Sequence, residues 1–155
     1  MRWTLGEDTI ERLLAERELQ RVPLARDMAK TMLASAESHL SSVVKIRDDD
    51  PEGAYALCYD AARKACAALL QVQGLRATSS GGHVALKEAV VAQFASTPEG
   101  RPLRRLDQMR RRRNVVEYGS QPGESVTATE LDETMSWTAE ILEFCSQVMA
   151  RLDMF

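Results

Sequence analysis

Asp50-Pro51-Glu52-Gly53-Ala54-Tyr55-Ala56-Leu57-Cys58-Tyr59-Asp60-Ala61-Ala62-Arg63-Lys64-Ala65-Cys66-Ala67-Ala68-Leu69-Leu70-Gln71-Val72-Gln73-Gly74 decides the fold. Asp50 can accept the free N–H groups of a first turn, and Pro51 suits the first helical position. Gly74 can take the left-handed conformation that closes a helix. Between these signals the stretch is rich in alanine, and small side chains let neighbouring helices approach closely while Leu57, Cys58, Leu69 and Val72 fill the gaps. The stretch therefore reads as the central helix of an all-α protein.

The flanks repeat the pattern. Upstream, Pro23 opens a second long helix with Leu24, Met28, Met32, Ala36, Leu40 and Val43 or Val44 on one stripe as far as Ile46. Thr4-Leu5-Gly6-Glu7 has capping-box spacing ahead of Ile10, Leu13 and Leu14, predicting a first helix that runs to about Gln20. Downstream, residues 76–82 form a connection, and Leu86, Val90 and Phe94 mark a shorter helix from His83. Pro102 can open an arginine-rich helix that stops at Tyr118 with Gly119 beyond it, and Pro122 and Gly123 lie in the loop that follows. Thr127-Ala128-Thr129-Glu130 is another capping box, leading a last helix through Leu131, Met135, Thr138, Ile141 or Leu142, Cys145, Val148 or Met149, and Leu152. No stretch reads as a strand. The expectation is one domain over residues 1–155, an up-and-down bundle of five or six helices, with an N-terminal helix in residues 1–22 and the bundle core in 23–155.

Composition fits a soluble helical domain: 45% hydrophobic, 28% charged and 5% aromatic residues over 155 positions. Cys58, Cys66 and Cys145 are odd in number and lack a paired spacing, so they read as small core residues in a reducing compartment. No signal peptide and no membrane span is visible, which predicts a cytoplasmic protein. His39 and His83 are the two histidines, scattered from the cysteines, so no metal site and no cofactor is expected. Asp48, Asp49 and Asp50 are explained by capping and solvation. His83, after Ser79-Ser80-Gly81-Gly82, reads either as a residue of a polar loop or as part of a phosphate site at a helix start.

Charge is distributed unevenly. Residues 101–118 carry seven arginines against Asp107 and Glu117, a local charge of +5 in a chain of net charge −3, which leaves −8 elsewhere. On a helical wheel Leu103, Leu106, Met109 and Val116 share one side, and Arg113 projects from the middle of that stripe. Arg104, Arg111 and Tyr118 lie nearly opposite, Arg105 and Arg112 at one margin, and Arg110, Asn114 and Glu117 at the other. Arg113 reads either as the partner of a carboxylate, with Glu117 one turn on, or as a phosphate ligand facing a cleft. Arg104, Arg105, Arg111 and Arg112 read as solvated charge or salt bridges to acidic neighbours.

The order Arg113-Asn114-Val115-Val116-Glu117-Tyr118 at a helix end resembles the HEPN superfamily, the higher eukaryotes and prokaryotes nucleotide-binding domains. The alanine-rich Tyr55–Ala65 segment and Gly81-Gly82-His83-Val84-Ala85-Leu86 add to the resemblance, which is particularly to a branch of small stand-alone actinobacterial members. It implies a helical homodimer with the motif helices at the two-fold axis, and RNA binding or metal-independent RNA cleavage of toxin or defence type. The family motif is an Arg, often followed by a polar residue such as Asn, with a His after four to six positions. Arg113 matches the Arg, Asn114 the polar residue, and Tyr118 stands where His is expected. A phenol is a poor base at neutral pH but can donate a hydrogen bond or stack on a nucleobase.

The resemblance thus implies catalytic residues Arg113, Asn114 and Tyr118, and a binding surface of Arg110, Arg111, Arg113, Asn114, Glu117 and Tyr118. A second register aligns Arg111, Val116 and Tyr118 with an R-x(4)-H-x-Y motif of toxins paired with nucleotidyltransferases, making Tyr118 a modification target. The alternative function is a non-catalytic protein-interaction module docking on an antitoxin or a nucleotidyltransferase. For self-association the last helix offers Trp137, Ile141, Phe144 and Val148 beside its main stripe.

Overall fold

The computed structural model describes residues 3–118, 125–152 and 155. Among these residues six α-helices form an all-α bundle: α1 Glu7–Ala15, α2 Arg26–Ile46, α3 Pro51–Val72, α4 Gly82–Phe94, α5 Leu106–Tyr118 and α6 Ala128–Met149. α3 is its axis, packed against α2, α6, α5 and α4. Asp50 caps it by accepting the Gly53 N–H at 2.9 Å, with Pro51 in the first turn. Ala54, Ala61, Ala62, Ala65 and Ala68 are wholly buried, so the alanines serve as contact surfaces for neighbouring helices. Cys58, Cys66 and Cys145 are free and buried, as the sequence predicts.

α6 begins as expected, Thr127 accepting the Glu130 N–H at 3.1 Å through its hydroxyl. Its far end is held by Arg26, whose guanidinium donates to the carbonyls of Met149 at 3.2 Å and Leu152 at 2.5 Å. A cation at these carbonyls both fills acceptors and opposes the negative end of the helix dipole.

Several boundaries differ from the sequence reading. α1 ends at Ala15 because Arg17 turns into the left-handed region at φ 61°, freeing the chain to extend. Leu19–Arg21 then forms β1, which pairs antiparallel with β2, Leu75–Ala77, in the register Leu19↔Ala77, Gln20↔Arg76 and Arg21↔Leu75. Three-residue strands are too short to show an alternating pattern, yet Leu19 and Leu75 are buried beneath the ribbon. Pro23 lies before α2 rather than in its first turn, its carbonyl accepting from the buried Gln71 side chain. Thr4 and Glu7 meet through the Thr4 carbonyl instead of a side-chain cap. Residues Arg101–Arg105 form a 3-10 helix, so the arginine-rich segment is two elements. Gly119, Pro122 and Gly123 lie outside the described residues.

Most of the surface expected to drive self-association is consumed within one chain, Trp137 alone of the four staying half-buried. Ile141, Phe144 and Val148 are buried in the main core, and Phe94 meets Phe144 edge-on at 5.6 Å. α6 packs on both α3 and α2, so its second apolar face is core.

Gly6 is required where it stands. Its φ of 74° is left-handed, and a Cβ there would lie 2.8 Å from the Ala92 backbone carbonyl carbon. Gly6→Ala is expected to lower stability by at least about 1–2 kcal/mol through the backbone conformation alone, measured as a reduced urea midpoint.

Candidate functional site

α3 is buried along most of its length and carries charge in its middle at Asp60, Arg63 and Lys64. Four helices bring polar groups to this window. Arg63 donates to Asp60 Oδ1 from Nη2 at 2.5 Å and from Nε at 3.1 Å. Lys64 Nζ lies 3.4 Å from Asp60 Oδ2 and 2.5 Å from Nε2 of His39 on α2. From α4, His83 sets its ring against the buried Tyr59 ring at 5.6 Å between centroids.

α5 supplies the facing side. Leu106 and Met109 are buried as the wheel predicts, and Val116 packs on a smaller cluster with Val43, Tyr55 and Leu131. With that stripe inward, Arg110 and Arg113 are half-buried rather than free in solvent. Arg110 Nη2 pairs with Asp107 at 3.0 Å, Arg111 Nε with the same carboxylate at 2.9 Å, and Lys87 of α4 approaches it at 3.9 Å. Arg113 Nη2 sits 3.2 Å from Glu117 Oε2 and its Nη1 3.5 Å from Asn114 Oδ1. Its Nε is buried, with no hydrogen-bond partner among the described residues.

Charge in this window is unbalanced. Among the described residues, the ion pairs made by Arg63, Lys64, Lys87, Arg110, Arg111 and Arg113 all end on three carboxylates, Asp60, Asp107 and Glu117. Burial would raise the Asp60 and Asp107 carboxyls, but hydrogen bonds from Arg63 and Arg110 and the surrounding cations hold both below the usual range. Burial pushes the Tyr59 phenol up to about 12, against the opposing charges of Arg63, Arg110 and Arg113. Partial burial lowers His83, and the charges of Arg63, Arg113 and Arg110 lower it further, with Asp60 acting the other way. The imidazole is thereby kept neutral at physiological pH.

The remaining sequence-predicted residues fall elsewhere. Arg112 closes a bidentate pair with Glu130 at 2.6 and 3.1 Å, linking α5 to the start of α6. Arg104 donates to the Ala95 carbonyl at 3.1 Å, and Arg105 lies over the Trp137 ring at 4.8 Å. Tyr118, 78% exposed, is on the Arg111 side of α5, and no hydrogen bond or ion pair joins it to Arg113 among the described residues. At the start of α4 the Gly81 N–H bonds Thr78 Oγ1 and the Gly82 N–H bonds the Thr78 carbonyl, so this polar loop is internally satisfied at both glycines.

Tyr59, Arg63 and Lys87 were not legible as site residues. Each is ordinary in its own helix, and only packing carries them to Arg110 and Arg113. The signal that could have found them is the cluster Asp60-Arg63-Lys64 inside an otherwise apolar, alanine-rich helix. Among the described residues no group of three or more His, Cys, Asp and Glu side chains could hold a metal ion, and no helix is long and apolar enough to cross a membrane.

Fold and site together define a helical bundle with a cation-rich face crossing α3, α4 and α5. No protein-family model matches the chain, and neither curated proteins nor solved structures contain a significant match to it.

Asp60 and Asp107 tie stability to acidity. Both titrate below their ordinary unfolded values, so their contribution is complete above the usual carboxylate range and disappears as pH falls through the depressed values. The urea midpoint should drop between about pH 5 and about pH 3, and Asp60→Asn should make that drop smaller.

Proposed function

We propose that the face formed by α3, α4 and α5 binds RNA through its phosphates, with Arg110 and Arg113 as the principal contacts. The observation that supports this most directly is the excess of cations over carboxylates, six sharing three. Guanidiniums already oriented by Asp107, Glu117 and Asn114 lose little rotamer freedom when a phosphate arrives, and their planar donors suit two phosphate oxygens at once. Among the described residues the buried Nε of Arg113 has no hydrogen-bond partner. Arg111 widens the basic surface, and Tyr118 offers a face on which a nucleobase stacks.

The HEPN resemblance is consistent with this reading and adds a homodimer formed through α5. Val115, 41% exposed, and Tyr118 supply open apolar area at the end of that helix. A dimer would place two copies of the basic face side by side and lengthen the track for one strand. A second reading, a protein-interaction module recognised by an antitoxin or a nucleotidyltransferase, rests on the exposure of Tyr118, which leaves its hydroxyl open to modification. On that reading Tyr118→Phe blocks modification and leaves RNA binding unchanged.

Binding of a short fluorescein-labelled oligo(U) RNA should weaken linearly in log salt. Arg113→Ala and Arg110→Ala should each weaken it and reduce the salt slope by about 1, while Lys30→Ala, an exposed change on α2, leaves both unchanged. RNA affinity equal to wild type in the Arg110→Ala, Arg113→Ala double variant would remove this face from the function. Sedimentation equilibrium should give twice the 17.3 kDa chain mass, and Val115→Glu should halve it.

A further inference from the structure

Arg63, Arg110, Arg113 and the ring pair Tyr59–His83 come from three helices, and together they have a property none has alone. Three guanidinium charges act on one imidazole that is already half-buried and seated on a buried phenol ring. Asp60 is the carboxylate acting on His83, and it is engaged by Arg63 and Lys64. Lys87, one turn along α4 from His83, is directed to Asp107. His83 has no hydrogen-bond partner among the described side chains, and as a cation it would add a further positive charge to a cluster already in surplus.

We propose that Tyr59, Arg63, His83, Arg110 and Arg113 form a phosphate subsite in which His83 takes up a proton as the phosphate group binds. This rests on the RNA-binding reading of the same face and specifies where one phosphate is held. The anion reverses the electrostatics of the cluster. It offsets the guanidinium charges that oppose an imidazolium, and it offers an acceptor oxygen to the new N–H. Tyr59 packs against the imidazole at a ring tilt of 52° and stays uncharged at physiological pH, its phenol pushed up to about 12 by burial.

The sign of the coupling follows from linkage. The bound state retains a proton at higher pH than the free state, so between the two His83 pKa values affinity rises as pH falls. Below both it is flat and high. Above both it is flat and low, and the arginines alone hold the phosphate. Across the coupled range the change cannot exceed tenfold per pH unit for a single proton.

Two titrations on the full-length chain test this. The chain has only His39 and His83, so Cε1–H resonances are assigned with the His39→Gln and His83→Gln variants. In the free protein His83 should titrate below the ordinary histidine range, and saturating oligo(U) should move its midpoint upward by at least half a unit. His83→Gln should lose the tightening of oligo(U) binding that wild type shows as pH falls. Inorganic phosphate should reproduce the upward shift at higher concentration, and Arg63→Ala should weaken it. RNA binding that depends on Arg113 without any movement of the His83 midpoint would overturn the subsite and leave the RNA-binding reading standing. Absence of RNA binding, with no response of His83 to phosphate, would overturn both.

Discussion

The burial of α3 on nearly every side is the constraint on which the other features depend. A helix surrounded by α2, α4, α5 and α6 has little room for charge, and its alanines are what allow four neighbours to approach it. Asp60, Arg63 and Lys64 therefore mark the one stretch along its middle where the packing leaves polar space. Whatever polar groups the neighbouring helices send inward at that level meet there. His39 comes from α2 and His83 from α4, while Lys87 of α4 and Arg110 and Arg113 of α5 pair with Asp107 and Glu117 on α5 beside them.

Seven arginines in one short segment are thus not one feature. Arg112 is structural, a bidentate tie from α5 to the first turn of α6. Arg104 and Arg105 fasten the 3-10 helix, one to a backbone carbonyl and the other across an indole face. Arg110 and Arg113 differ because they are half-buried, pair within α5 to Asp107 and Glu117, and act through their charge on Tyr59 and His83. An imidazole, His83, is supplied by α4, set against Tyr59 of α3. Its neighbours keep it neutral, which makes it able to accept a proton.

Much of the architecture was legible. Asp50, Pro51 and Gly74 bound α3, Thr127 caps α6, and Leu106 and Met109 turn inward as their spacing requires, because caps and 3.6-residue periodicity are local in sequence. What depended on tertiary pairing was hidden. The β1–β2 ribbon joins segments more than fifty residues apart through three residues each, and Arg17 ends α1 by a left-handed turn that no side-chain pattern announces. The same limit applies at the site. Arg113 stood out because it interrupts an apolar stripe, whereas His83 looked like an ordinary residue of a polar loop until packing set it on Tyr59 within the field of three arginines. Tyr118, close to Arg113 in sequence, lies on another side of α5, so nearness along the chain was a poor guide.

The central claim is that the polar window of α3 is where a nucleic-acid phosphate is received. An NMR titration following arginine Nε–Hε cross-peaks on addition of oligo(U) tests it most directly, since each guanidinium reports separately. The account predicts that Arg63, Arg110 and Arg113 shift together and saturate at one ligand concentration, while Arg12, paired with Glu16 and Glu88 on another part of the surface, stays still. Shifts confined to Arg101, Arg104 and Arg105, along the groove beside Trp137, would contradict it.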